Sequence, residues 1–387
     1  QTRFSPFDLR LSDAFGNNVL QSEVESEKWG GRLDIETPLT QDDTLNLVWG
    51  ADYFHEDSAQ PADLFDPTIF ANSDGLNFVP TGRGFLSPPL EQDNLGLFAQ
   101  LTWQPTETLT LNGGIRQEIV GVSLDTFTTL AGNTITGGDL DYDATLFNIG
   151  AVYGLNENLN VFANFAQGFS LADIARTLRT APGGLSVERL RPEPQKVDNY
   201  EIGIRGDWDT VQASLSGFYS YSELGTTFNE DFGIARDPQR IYGIEADINA
   251  EVSPTWLVGG TFTWTEGKRD VDGDDDFETP LPNTQIPPIK LTAYVENQTT
   301  STWSNRLQLL YSGTRDPEGT GYALEEVDSY LTADFISQLD MGNGTLSLAV
   351  ENMFNSLYFP NISQISAGNS LSAARGARVR LTYTLEW

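Results

Sequence analysis

The chain has 387 residues, with 55 acidic against 22 basic side chains and a formal net charge of -33. It has no cysteine and a single histidine, which excludes disulfide frameworks, Cys/His zinc sites and thiol catalysis; the acidity is the reverse of a phosphate-binding profile and excludes nucleic acid as a partner. A soluble single core rarely outgrows about 250–300 residues and no stretch approaches the roughly 20 apolar residues of a membrane helix, so the chain either divides into domains or adopts an architecture that needs no packed core.

Taken in chain order, the opening "QTRFSPFDLR" carries no basic segment followed by an apolar run. The first clear element is "WGGRLDIE", where Trp29, Gly31, Leu33 and Ile35 alternate with Arg32, Asp34 and Glu36. In "LNLVWGADY" Leu45, Leu47, Trp49, Ala51 and Tyr53 alternate with Asn46, Val48, Gly50 and Asp52; in "NLGLFAQLTWQ" Leu95, Leu97, Ala99, Leu101 and Trp103 do the same. The pattern returns in "YEIGIRGDW", "VQASLSGFYSY", "RIYGIEADINAE", "TWLVGGTFTW", "SYLTADFISQ", "GTLSLAVEN" and the final "RGARVRLTYTLEW". A strand sends alternate side chains to opposite faces, so each segment has one apolar and one polar face. About sixteen such strands are predicted, and helical spacing is confined to "LADIARTLRTA" at 171–181.

Strands of globular sheets average about 5–6 residues. These run to about ten or more, the length of a transmembrane β-strand. The connections alternate strictly. Short turns are predicted near 38–44, 104–108, 154–158, 207–210, 253–255, 299–302 and 341–344, and long segments near 57–90, 123–140, 171–195, 223–238, 267–287, 315–327 and 356–374. Short turns at one end and long loops at the other are the pattern of an outer-membrane barrel. Trp29, Trp49, Trp103, Trp208, Trp256, Trp303 and Trp387 are expected at strand ends, where their rings suit the lipid headgroup boundary. The fold expected is therefore all-β: an antiparallel transmembrane barrel with Trp49, Leu97, Leu101, Ile204, Ile244 and Leu381 facing lipid. Arg32, Asp52, Arg205, Glu245 and Arg380 face the lumen, along with Asp34, Glu36, Arg116, Glu118, Glu201, Asp247 and Arg378.

Several stretches carry a family resemblance: "GADYF" (50–54), "DGLNFVPTGRG" (74–84), "DYDATLFNIGAVYGLNENLNVFANFAQGF" (141–169), "KVDNYEIGIRG" (196–206), "RIYGIEADINAE" (240–251) and "GTLSLAVENMFNSLYF" (344–359), with an aromatic last residue. Together they resemble the β-barrel of TonB-dependent outer-membrane receptors, and within them the ferric siderophore receptors; the 74–84 loop and "RIYGIEA" look most like the aerobactin-type, citrate-hydroxamate branch. The resemblance implies a barrel of twenty-two strands with an N-terminal plug. About sixteen strands and no plug are found, so residues 1–387 are expected to be an N-terminally incomplete receptor barrel domain in the cell outer membrane, not an enzyme. The implied partners are a ferric siderophore, TonB acting through the missing plug, and outer-membrane lipid and lipopolysaccharide. Iron arrives inside its chelator, so no cofactor is expected. A general diffusion porin of about sixteen strands is the alternative.

Ligand contacts are expected from arginines, which hold carboxylates and oxygen donors bidentately, and from aromatic faces. The candidates are Phe78, Arg83 and Phe85 in 57–90, Arg176 and Arg179 in "ARTLR", and Arg315 and Tyr322 in "TRDPEGTGY". "DVDGDDDFE" (270–278) places six acidic residues in one loop, the donor type that calcium takes, although Gly273 is fourth in it and an EF-hand glycine is sixth. His55 in "YFHED" is read as a non-catalytic strand-end residue, since no nucleophile elbow accompanies it.

Overall fold

The structure, a computed structural model, describes residues 3–8, 19–171, 174, 178, 183–190, 193–225, 227–228, 234–318, 326–365 and 372–385. Sixteen strands follow one another: β1 (Arg3–Asp8), β2 (Val19–Pro38), β3 (Leu45–Phe65), β4 (Pro80–Thr106), β5 (Leu109–Leu124), β6 (Gly138–Asn156), β7 (Leu159–Ser170) and β8 (Gln195–Trp208). After them come β9 (Val211–Ser222), β10 (Gln239–Ser253), β11 (Trp256–Arg269), β12 (Lys290–Thr300), β13 (Trp303–Ser312), β14 (Tyr330–Asp340), β15 (Gly344–Glu351) and β16 (Arg378–Leu385). Each pairs antiparallel with the next in one meandering sheet, which also takes in the two-residue strand Thr279–Pro280 beside the end of β11. Among the described residues no pairing joins β1 to β16.

The turns fall where the alternation breaks. The short ones are 39–44, 107–108, 157–158, 209–210, 254–255, 301–302 and 341–343. In the last of these Gly342 sits at φ 88°, a conformation that suits a residue without Cβ, and its N–H donates to Asp340 Oδ1 at 2.8 Å. The long connections 66–79, 125–137, 171–194, 223–238, 270–289, 313–329 and 352–377 all lie at the other end. The first departs from expectation. Much of 57–90 is strand, because β3 and β4 run on as a tall hairpin with register shifts near Ser58, Gln60 and Leu64. The helix expected over 171–181 lies largely outside the described residues. Among the described residues three bounded short helices are α1 (Pro67–Asn72), α2 (Val187–Leu190) and α3 (Asn361–Ile365). Asp66 caps α1 by accepting from the N–H groups of Thr68 and Ile69 at 2.8 and 3.0 Å, with Pro67 in the first turn.

Register gathers the apolar residues of every strand onto one face. One row reads Ala151–Ala163–Ile202–Gly217–Ile244–Trp264 across β6 to β11, and the next Tyr153–Val161–Ile204–Leu215–Ala246–Phe262. Trp49 pairs with Ile35 and Ala99, Leu97 with Ala51, Leu101 with Leu47, and Leu381 with Leu348. The opposite face has the row Arg32–Asp52–Gly96–Glu118, and Arg205, Glu245 and Arg380 lie on it too. Since a slip of one residue would exchange the faces, the expected lipid and lumen sets are each kept together.

The aromatic pattern is richer than predicted. Trp103, Trp208, Trp256 and Trp303 lie beside short turns, but Trp29 is nine residues before Pro38, in the body of β2, packed against Tyr53 at 5.3 Å. A second aromatic row toward the long connections, Phe165, Tyr200, Tyr219 and Tyr242, stands in direct cross-strand register. Trp387 lies outside the described residues.

The packed cores sit on the polar face at the long-connection end. Val120, Val122 and Leu124 of β5 and Leu140 and Tyr142 of β6 meet Phe127, Ile135, Ile174, Leu178 and Val187. A smaller cluster joins Leu20, Ala62, Leu86 and Leu130. Through these described residues the connections 125–137 and 171–194 pack over the polar face of the wall.

Candidate functional site: the polar face and its cap of loops

The polar face is wired by ion pairs. Arg116 on β5 reaches diagonally over Gly96 on β4 to Asp52 on β3, with Nη1–Oδ2 at 2.7 Å and Nη2–Oδ1 at 2.8 Å, and pairs with Glu118 on its own strand. A Cβ at Gly96 would come within 1.9 Å of Arg116 Nη2, so the glycine supplies the room for this crossing. Arg32 binds Asp34 at 2.8 Å, and its guanidinium lies 4.7 Å from the Phe98 ring centroid. At the chain's last strand, Glu351 takes both Arg378 (2.7 Å) and Arg380 (3.1 Å). These are the planar, fork-shaped pairings for which arginine is suited.

The family-like "VENMFNSLYF" has a local structural role. Asn352 and Asn355 occupy left-handed conformations at φ 45° and 52°, which asparagine tolerates better than most residues. Asn352 donates to the carbonyls of Ser356 and Arg375 and accepts from the Ser356 N–H, turning the chain out of β15.

The expected ligand residues do not form one cluster. Phe78, 49% exposed, sits in the 66–79 connection against Phe65 and Phe70 at 5.3 and 5.2 Å. Arg83 is on β4 opposite Asp63, and its side chain is 63% exposed. Alternation puts it on the face away from Leu20, Ala62 and Gly84, hence away from the polar-face cap. Phe85 packs at the edge of the larger loop core. Arg315 is 8% exposed and fully occupied: it binds Glu266 at 3.1 and 3.3 Å, Asn283 Oδ1 at 2.9 Å and the Leu281 carbonyl at 3.0 Å. Its guanidinium is thus engaged by these neighbouring groups. Arg176, Arg179 and Tyr322 lie outside the described residues.

In the acidic loop, carboxylate oxygens of Asp270, Asp272, Asp274 and Glu278 lie within 4.8 Å of one another, a set of hard oxygen donors of the kind a divalent cation takes. Asp270 itself is only 2% exposed. Burial pushes its pKa up, but N–H groups of Gly273, Asp275 and Asp274 outweigh this and hold it below the ordinary carboxylate value. His55 is flanked by Asp93 at 3.0 Å and Asp57 at 3.2 Å. The His55–Asp93 contact, Arg315's burial and the Arg116 crossing were not visible in the sequence, because each depends on residues far apart in the chain.

A family model described as "TonB dependent receptor-like, beta-barrel" matches residues 2–353. The ferric aerobactin receptor of Klebsiella pneumoniae is 28% identical over 390 residues, covering 92% of this chain and 51% of that receptor. The rhizobactin receptor of Rhizobium meliloti (strain 1021) is 27% identical over 385 residues, covering 92% and 50%. The chain thus spans about half the length of these relatives. Among solved structures, the copper transporter OprC superposes with a TM-score of 0.76 at 17% identity, over 95% of this chain and 58% of that one. The ferripyoverdine receptor of Pseudomonas aeruginosa, bound to ferripyoverdine, gives 0.70 at 17% identity, over 95% and 49%. At such identities the structures bear on the fold alone, and all of these are receptors or transporters and none an enzyme. With a matching model over most of its length, the chain belongs to the TonB-dependent receptor β-barrel family.

Proposed function

We propose that the chain is the larger part of the barrel of an outer-membrane receptor that takes up a ferric siderophore of the citrate-hydroxamate class, with energy delivered by TonB through a plug. The observation that carries the siderophore class is the similarity to the aerobactin and rhizobactin receptors across 92% of the chain. The two-faced sheet supports the membrane setting: its apolar face meets lipid and the short turns face the periplasm. The long connections cap the external mouth, and the polar face lines the lumen and meets the plug. That β1 and β16 are unpaired with each other among the described residues supports a larger barrel closed by further strands; a closed barrel leaves no unpaired edge in lipid. The diffusion porin reading finds no support, since the matching relatives and structures are TonB-dependent receptors and transporters.

Arg176 and Arg179, which lie outside the described residues, are tested as ligand contacts for their chemistry; their neighbours Ile174 and Leu178 belong to the larger core. The test is titration of the purified full-length receptor with ferric aerobactin, with a ferric catecholate as competitor class. Arg176→Ala with Arg179→Ala should weaken binding by at most about ten-fold per arginine, less at higher salt, since an exposed charged hydrogen bond contributes less than the roughly 1.5–3 kcal/mol of a protected one. Preference for the catecholate would overturn the citrate-hydroxamate assignment. Failure to bind any ferric siderophore would overturn the function.

A further inference from the structure

The apolar side of the wall carries a cation pair that nothing in the barrel explains. Above the row Phe165–Tyr200–Tyr219–Tyr242, the next residues on the same face are Gln167, Asp198, Tyr221, Arg240 and Lys268, again in direct cross-strand register. Successive residues of one face stand about 6.6 Å apart along a strand, so this row lies just beyond the aromatic girdle, at the height of lipid headgroups. In it Arg240 of β10 and Lys268 of β11 are directly opposed. Like charges so placed repel, and among the described residues neither meets a carboxylate within 4 Å. Glu266, two residues from Lys268 on the same face, is taken by Arg315 at 3.1 Å, and Asp198 accepts from Gln167 Nε2 at 2.9 Å. Phe277 holds Arg240 in place, with its ring centroid 4.7 Å from the guanidinium carbon, while Arg240 Nε is shielded from solvent and has no acceptor.

Directly below this row an open apolar groove of about 730 Å³ crosses β6 to β11. Its walls include Ile149, Phe165, Tyr200, Ile202, Ile244 and Trp264. Its floor is Gly217, where a Cβ would meet nothing nearer than the Gly243 carbonyl at 3.8 Å. A second groove of about 560 Å³ continues from it toward the short turns, past Tyr153, Val161 and Ile204.

An apolar groove on a lipid-facing wall names no occupant by itself, since any acyl chain fills it. The cations above it do. In a chain of formal net charge -33 an anionic headgroup is repelled on average, so a local pair of unneutralised cations selects where one can sit. We propose that the outer wall across β8 to β11 holds one phosphate-bearing lipid, with its phosphate between Arg240 and Lys268 and one acyl chain passing the Tyr219–Tyr242 pair into the groove over Gly217. The phosphate oxygens remove the Arg240–Lys268 repulsion and give Arg240 Nε an acceptor. The tyrosines keep their rings in the hydrocarbon and their hydroxyls at the headgroup level. This site requires the membrane setting proposed above.

The test is native mass spectrometry of the full-length receptor in a neutral detergent, titrated with dioleoylphosphatidic acid, with dioleoylphosphatidylcholine and with inorganic phosphate. The two lipids share their chains and differ in net headgroup charge, and inorganic phosphate has no chain. The receptor should retain one phosphatidic acid about ten-fold more tightly than phosphatidylcholine, and inorganic phosphate at equal concentration should not displace it. Arg240→Gln with Lys268→Gln should abolish the preference and leave the two lipids equal. Gly217→Leu, which fills the groove and keeps both cations, should weaken both lipids by about ten-fold. Lys290→Gln, on the opposite face, should change neither. Should the double variant fail to fold, Lys268→Gln alone carries the readout, with a smaller loss of preference. Equal retention of both lipids by the unaltered receptor, a preference that survives the charge substitutions, or displacement by inorganic phosphate would overturn the lipid site. Insertion of the same receptor into phospholipid vesicles, followed by its heat-modifiable gel mobility, separates the two readings. A receptor that inserts but shows no preference loses only this site, whereas one that does not insert loses the membrane setting itself.

Discussion

Ile204 tests the membrane reading most directly. On β8 it lies midway between Trp208, beside a short turn, and Tyr200, in the second aromatic row: four residues from each. At about 3.3 Å per residue the two rows are roughly 26 Å apart along the strand, or about 20 Å in height at a tilt of 35–45°. That approaches the roughly 25 Å apolar band of an outer-membrane barrel, and Ile204 is at its middle. Ile204→Arg should therefore cost about 2–4 kcal/mol, and Trp208→Arg, at the boundary, about 0–1 kcal/mol from the charge itself. Ser216→Arg lies on the polar face, opposite Glu245, and should be within about 0.5 kcal/mol of neutral. The assay is urea unfolding of the full-length receptor from phospholipid vesicles, with folded protein followed by its heat-modifiable gel mobility. At about 1.4 kcal/mol per ten-fold, Ile204→Arg changes the folding constant by roughly 30- to 700-fold. If Ile204→Arg proved as mild as Ser216→Arg, the apolar face would be facing water and the barrel orientation would be wrong.

Gly96→Ala should displace Arg116 and cost about 1–2 kcal/mol, discounted because Arg116 and Asp52 are both partly exposed; Gly31→Ala, with nothing within 4 Å of its Cβ, should be nearly neutral in the same assay. A double-mutant cycle of Gly96→Ala with Asp52→Asn should be less than additive, and full additivity would deny the crossing. The depressed pKa of Asp270 means that its contribution to loop order is fully present above the ordinary value near 3.8 and is lost as pH falls below that through the folded value. Hydrogen exchange of 271–278 should therefore rise below about pH 4, and Asp270→Asn should reproduce the rise at pH 7; a pH-independent pattern would assign the loop's order to other contacts. Expressed alone in an outer membrane, residues 1–387 should not restore ferric-siderophore growth to a receptor-deficient strain, and restoration would show that no further strands or plug are needed.

Trp49, Leu97, Ile204 and Leu381 are assignable to one face because period-two alternation is a property of the extended backbone itself, and the turn expected at 207–210, found at 209–210, because the alternation breaks there. Trp29 departs from the expected strand end, because composition marks an aromatic as boundary-seeking but does not fix its height along the strand. Chemistry alone marks Arg83 and Arg315 as exposed loop cations. One instead faces outward on a strand that continues past the expected loop, and the other is buried by Glu266, Asn283 and Leu281, which precede it by 49, 32 and 34 residues.

Local backbone geometry, then, was enough to determine the strands, their two faces and the alternation of short and long connections, since each follows from neighbours in the chain. Which arginine meets which carbonyl was decided only in three dimensions. Register sets which strand ends stand side by side, and the desolvation of a guanidinium is tolerable only where several acceptors converge on it. Gly96 shows the same division: as a sequence symbol it is a weak strand residue, and only the passage of Arg116 over it to Asp52 gives its missing side chain a purpose.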